Sequence, residues 1–153
     1  MTGFKISHGT FTVEHQFAAS PARVFRAWSL PEELKAWAAP ADDWTFDIDS
    51  FDFRLGGGAV CRFGPQGEAQ YRDVSRYDDI VQDQRIVTAY SISKGDVRIS
   101  SSVSSLEFKP HAGGTLLRIT EMGAFLDGLE TATTREGGVR QQIVQLDRFL
   151  AQA

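Results

Sequence analysis

Apolar and polar residues alternate from Thr10 to Ala18, with Phe11, Val13, His15 and Phe17 on one side and Thr12, Glu14 and Gln16 on the other. A period of two marks a half-buried strand. Ser20 and Pro21 then supply an N-cap and a first-turn proline, and Val24, Ala27 and Trp28 follow at helical spacing, predicting a short helix that ends near Ser29. Ser29-x-x-Glu32 reads as the capping box of a second short helix carrying Leu34 and Trp37 and stopping before Pro40. From Trp44 to Glu121 the pattern is strand after strand, about six in all, including one from Ala69 to Tyr77. Gly56-Gly57-Gly58, Gly64 to Gly67, Gly95-Asp96 and His111 to Gly114 divide them. Trp44, Phe46 and Ile48 share one parity while Phe51, Phe53 and Leu55 share the other, so a β-bulge is expected near Ser50. None of these turns is long enough for a parallel crossover, and the strands must pair antiparallel. Finally Thr133-x-x-Glu136 opens a long helix whose stripe is Val139, Ile143, Leu146 and Leu150. That stripe is long enough to cover a bent sheet of about seven strands. Where one helix and a curved sheet cannot fill the space between them, a cavity remains.

Composition narrows what such a cavity serves. The chain has 153 residues, enough for one domain with a real core. A single domain over residues 1–153 is expected, with 1–9 a loosely attached leader. With 16 Lys+Arg against 20 Asp+Glu, and the basic residues scattered singly, nothing resembles a phosphate-backbone footprint, so no nucleic-acid partner is expected. No apolar run approaches the roughly 20 residues that span a bilayer, and no signal peptide is apparent, which predicts a cytoplasmic protein without membrane insertion. The single Cys61 has no Cys/His cluster around it, so neither a disulfide nor a zinc module is expected. Asp42, Asp43, Asp47, Asp49 and Asp52 alternate in part with Trp44, Phe46 and Ile48 and read as a solvated face, not a cation site. Gly56-Gly57-Gly58 has no helix after it and is no phosphate loop. No metal and no cofactor are expected.

In this order the elements are similar to the helix-grip fold of the START-like (SRPBCC) superfamily. More narrowly, the chain resembles the group related to the C-terminal domain of the activator of heat-shock protein 90 ATPase. The stretches that carry the resemblance are FTVEHQFAASPARVFRAW (11–28), RLGGG (54–58), YDDIVQDQRIVTAY (77–90), SSVSSLEF (101–108), GGTLLRITEMGAFLDG (113–128) and REGG (135–138). The resemblance implies an α+β helix-grip fold, a curved antiparallel sheet wrapped around the C-terminal helix with two short helices after the first strand. It also implies a choice of roles, because members include ligand binders, aromatase and cyclase enzymes and chaperone co-factors. Two positions depart from the pattern. His15 stands where many relatives have Arg, and Ala38-Ala39 follow Trp37 where a second aromatic is common.

Parity sorts strand residues into cavity and solvent sets. Phe17 brings His15 inside, Phe63 brings Cys61, Tyr71 and Tyr77 bring Asp73, Ile86 and Ile92 bring Tyr90, Leu106 and Phe108 bring Ser102 and Ser104, and Leu117 and Ile119 bring Glu121. His15, Asp73 and Glu121 are the catalytic candidates, since a carboxyl desolvated in an apolar pocket holds a proton near neutral pH as general-acid work requires. The plainer reading is that each is a satisfied polar group. The ligand-facing set is His15, Trp37, Phe46, Phe53, Phe63, Tyr71, Tyr90, Ser102, Glu121, Phe125 and Ile143. Phe125, between Gly123 and Gly128, is expected to close the mouth as a lid or to seal the core. Gly137-Gly138 in the first turn of the long helix costs about 1 kcal/mol each relative to Ala, so something should need the absent side chains. The reading from sequence is a binder of a hydrophobic or amphipathic small molecule. An aromatase/cyclase or hydrolase/dehydratase enzyme using His15, Asp73 and Glu121 is the alternative, and a chaperone-associated stress-response module the third. A homodimer through an edge strand or the helix surface is left open.

Overall fold

The computed structural model describes residues 4–68 and 70–152. Its elements run β1 (Ile6–Phe17), α1 (Pro21–Ser29), α2 (Pro31–Trp37), β2 (Trp44–Phe51), β3 (Gly58–Pro65), β4 (Tyr71–Val81), β5 (Arg85–Lys94), β6 (Val97–His111), β7 (Gly114–Leu126) and α3 (Ala132–Gln152). The strands form one antiparallel sheet in the order β1-β7-β6-β5-β4-β3-β2. The first two strands of the chain therefore lie at opposite edges, bridged by α1 and α2. This is the α+β helix-grip fold.

Local chemistry explains most boundaries. Ser20 caps α1, its hydroxyl accepting from the Arg23 amide at 3.2 Å, and Pro21 fills the first turn. Both expected capping boxes are corrected. Leu30 occupies the N-cap of α2 without a side-chain bond, because Pro31 already presets the first turn, and the Ser29 hydroxyl donates back to Arg26 O. α3 is capped by Thr131, two residues before the expected Thr133, and its hydroxyl accepts from the Thr134 amide at 3.1 Å. β1 also begins earlier than expected. Ile6 to Gly9 pair in register with Leu126 to Gly123, so this part of the supposed leader belongs to the sheet. Its alternation is muted because Ser7, His8 and Gly9 are all small or polar, and backbone pairing supplies the order. Gly9 is required there, since a Cβ would overlap that of Ala132 at the start of α3. Residues 1–3 and Ala69, the first residue of the expected Ala69–Tyr77 strand, lie outside the described residues.

The sheet bends at its irregularities. Asp49 is the extra residue between Ile48 and Ser50, next to the position that the parity slip marks. Further register shifts fall between Tyr77 and Asp79 and between Ile92 and Ser93. Under the curved sheet, Phe25 of α1 is 1% exposed and meets Phe53 and Phe108 edge-on, with ring centroids 5.8 and 5.3 Å away. Burying a ring of this size contributes about 3 kcal/mol. The Trp37 indole donates to Ala27 O at 3.0 Å and ties α2 to α1. Val139, Ile143 and Leu146 bury the stripe of α3 against the core, and Gln142 donates to Ala38 O at 2.8 Å to tie α3 to the end of α2. α3 packs against β1 and α2, and α2 against β2, which leaves the inner face of β3 to β5 without a helix packed closely on it.

Candidate functional site

Between the inner face of the sheet and the three helices lies a cavity of about 440 Å³. Its walls come from nearly every element: Trp28 and Trp37 from the short helices, Trp44 and Phe46 from β2, Cys61 and Phe63 from β3, Asp73 and Tyr77 from β4, Tyr90 from β5, Glu121 from β7, and Arg135, Gly138 and Gln142 from α3. Period-two alternation puts Tyr71, Asp73, Ser75 and Tyr77 on the same inner face. Four rings from adjacent strands form one nearly parallel tier. Trp44 and Tyr71 lie 6.0 Å apart at 9°, Tyr71 and Phe63 5.4 Å apart at 16°, and Phe63 and Phe46 6.2 Å apart at 21°.

Beside this apolar wall lies a polar cluster organised by Arg135. Its guanidinium grips both Glu130 oxygens at 2.7 and 2.9 Å and donates to Tyr90 Oη at 2.8 Å and Ser100 Oγ at 2.7 Å. The Glu121 carboxylate is 3.8 Å from Arg135 and accepts from the Tyr90 hydroxyl at 2.7 Å. The guanidinium also lies over the Phe125 and Tyr90 rings, 5.4 and 5.6 Å from their centroids. Four of the five N–H donors of the fork are thus in use. Burial raises the Glu121 carboxyl above its ordinary range, with the Tyr90 hydrogen bond and Arg135 opposing it. Burial likewise lifts the Tyr90 phenol well above 10, and the neighbouring Glu121 charge adds to this.

Asp73 is less well provided for. The Ser75 hydroxyl donates to Oδ1 at 2.7 Å, and no described side chain bonds Oδ2. Desolvation pushes its pKa up to about 6, against the Ser75 bond and the distant Arg135. The surface that Asp73 keeps opens into the cavity that it lines. Cys61, paired with Asp73 across β3 and β4, is pushed up to about 12, first by burial and then by the Asp73 charge, and is a small inert hydrophobe.

Of the residues singled out in the sequence, Trp37, Phe46, Phe53, Phe63, Tyr71, Asp73, Tyr90 and Glu121 line the cavity. Four do not. His15 shares its face with Phe17 but sits on an edge strand, its side chain 38% exposed and its Nε2 3.3 Å from Asp147 of α3. The trio His15, Asp73 and Glu121 is therefore not assembled. Ser102 is buried against Gly123 with no partner for its hydroxyl, and Ser104 takes its place in the cavity wall. Ile143 packs in the core under α3. Phe125 is 2% exposed, because the expected lid loop continues as β7, paired to Ser7 on one side and Ser100 on the other. The chain turns only at Asp127 and Gly128, both at positive φ, so Leu129 and Glu130 border the cavity instead. Arg135 was missed, although the α3 stripe carried back one turn from Val139 lands on it. No protein atom requires the missing side chains of Gly137 and Gly138, since a Cβ at either would meet nothing within 4 Å, and Gly138 lines the cavity. Among the described residues no group of His, Cys, Asp and Glu is placed to hold a metal ion, and no helix is long and apolar enough to cross a membrane.

Comparison with known proteins agrees with this architecture. No curated protein matches the chain. Among solved structures, an uncharacterized protein from Rhizobium leguminosarum is 33% identical, with a TM-score of 0.88 over 99% of this chain and 100% of the other. The Mll3558 protein from Rhizobium loti is 39% identical, with a TM-score of 0.83 over 95% and 99% of the two chains. An AHSA1-like protein from Aeromonas hydrophila, 15% identical, shares the fold with a TM-score of 0.72 over 94% and 92%. Residues 18–151 match the family described as "Activator of Hsp90 ATPase homolog 1-like protein", and the chain belongs to that family.

Proposed function

We propose that this protein binds a small, largely hydrophobic molecule bearing a few polar groups, held between the sheet and α3. The observation that carries the reading is the cavity itself. Its volume of about 440 Å³ falls within the roughly 300–1,000 Å³ typical of small-molecule sites, and its walls are mostly apolar, rich in aromatic rings, with a few convergent polar groups. All three tryptophans of the chain, Trp28, Trp37 and Trp44, line it, so occupancy should change intrinsic fluorescence. The test is native mass spectrometry of protein purified from its own host, beside the Gly138→Phe variant, whose ring would project into the cavity. An adduct on the wild type that the variant lacks supports binding. A bare wild-type mass, with tryptophan fluorescence unmoved by added hydrophobic probes, overturns it.

A second reading, acid/base catalysis on the bound molecule, is favoured by Asp73, whose carboxyl exchanges its proton near neutrality while facing the cavity. It no longer includes His15. Turnover that survives Asp73→Ala would sink it. A chaperone-associated role needs an apolar outer face. There Val74, Val103 and Met122 are exposed, but they share that face with the Arg118–Glu14 and Arg76–Asp78 ion pairs.

A further inference from the structure

The charge lining the cavity is lopsided. Among the described residues it presents three carboxyl groups, Asp73, Glu121 and Glu130, and one guanidinium, Arg135. Four of the five N–H donors of that guanidinium are committed to Glu130, Tyr90 and Ser100, and the Nη1 that carries the fifth lies 3.8 Å from the Glu121 carboxylate. An incoming carboxylate would face three acids with a single uncommitted guanidinium N–H among the lining residues to meet it, beside Glu121. Asp73 is in the opposite position. It holds one hydroxyl donor, on Oδ1, and its Oδ2 has no described side-chain partner. A half-buried carboxylate short of donors in an apolar cavity is an arrangement that a cationic ligand favours. The apolar surroundings point the same way. Tyr71 lies two residues from Asp73 on the same face of β4, about 6.6 Å along the strand, and belongs to the tier with Trp44, Phe63 and Phe46. Aromatic faces attract both flat apolar bodies and the cationic groups attached to them.

We infer that the cavity takes an arylalkylamine, its ammonium on the Asp73 carboxylate and its ring, one short alkyl linker away, against the tier of Trp44, Tyr71, Phe63 and Phe46. The inference deepens the ligand-binding reading and rests on it. The titratable groups around Asp73 are Tyr71 and Tyr77 on its own strand, Cys61 on β3, Tyr90 on β5, Glu121 on β7, Glu130 before α3 and Arg135 on α3. Of these, Cys61, Tyr77 and Tyr90 are all raised by burial and stay neutral through the pH range in which Asp73 titrates.

The experiment is isothermal titration calorimetry with three probes that share one apolar body: phenylpropylamine, phenylpropanol and phenylpropionate. At about pH 8 the amine should bind at least roughly tenfold more tightly than the alcohol, and the carboxylate more weakly than either. The amine's advantage should shrink severalfold at about pH 5, where Asp73 is largely protonated, and in Asp73→Asn at both pH values. Asp73→Asn should weaken the alcohol far less than the amine, and measurable alcohol binding also reports that the variant is folded; the pH arm needs no variant. Equal binding of amine and alcohol, a preference for the carboxylate, or an amine advantage that survives Asp73→Asn overturns the inference while the binding reading stands. Failure of all three probes to bind overturns both.

Discussion

Replacing Asp73 by Asn tests the electrostatics of the cavity through folding stability alone, with no ligand needed. In the native protein the Asp73 pKa is raised from 3.8 to about 6, so the folded state holds this proton more tightly than the unfolded chain. The stabilising contribution is fully present below 3.8 and is lost as pH rises through about 6. At about 1.4 kcal/mol for each tenfold change in proton affinity, the full interval is worth about 3 kcal/mol, most of it falling between about pH 4 and pH 7. Asn keeps the shape and can still accept from Ser75, but it never ionises. Its stability relative to wild type should therefore climb by about 2–3 kcal/mol between about pH 4 and pH 8. Urea unfolding at several pH values, followed by far-ultraviolet circular dichroism, measures the difference. Glu121 titrates in both proteins and largely cancels. A difference that stays flat across the range, or falls as pH rises, would refute the claim that Asp73 is ionised at a desolvation cost.

Three further outcomes follow from the same geometry. Gly138→Ala should raise ligand-free stability by about 1 kcal/mol, because α3 gains a better helix former and the new methyl meets nothing, while weakening binding of whatever fills the cavity; urea midpoints and fluorescence titration separate the two effects. Arg135→Met should cost about 3–5 kcal/mol, since Glu130 and Glu121 would keep their burial and lose their cation, and thermal unfolding at neutral pH would show it. His15→Ala should cost under about 1 kcal/mol and leave the tryptophan fluorescence response to ligand unchanged, as its contact with Asp147 is largely in solvent.

The sequence carried the fold well because period two and period 3.6 are written directly in side-chain polarity. The same parity placed Tyr71, Asp73, Tyr90 and Glu121 on the inner face correctly. Parity tells which face a residue occupies and says nothing of where along that face a helix lies. His15 and Ser102 were misjudged for this reason, one at a sheet edge beside α3 and the other paired with Gly123 of β7, where its hydroxyl is buried. Phe125 failed differently: its flanking glycines look like a loop, yet Gly123 is a strand residue facing Ser102. Arg135 escaped because a charged residue at the start of a helix reads as solvent-facing until its partners Glu130, Tyr90 and Ser100, from three separate segments, converge on it.

The strand order bears on how the chain reaches its native state. β1 has a single neighbour, β7, and residues that pair directly, such as Ile6 with Leu126, are separated by almost the whole chain. The hairpins from β2 to β6 close between near neighbours and can form early, whereas the β1–β7 ladder must wait on a large loop-closure entropy. On a ribosome adding roughly 5–20 residues per second, β1 leaves the tunnel seconds before its partner exists. The aromatic tier thus belongs to the part of the molecule that assembles first, and the Arg135 clasp to the part that assembles last. A nascent chain would present the open ring-lined trough before the C-terminal helix comes down to roof it.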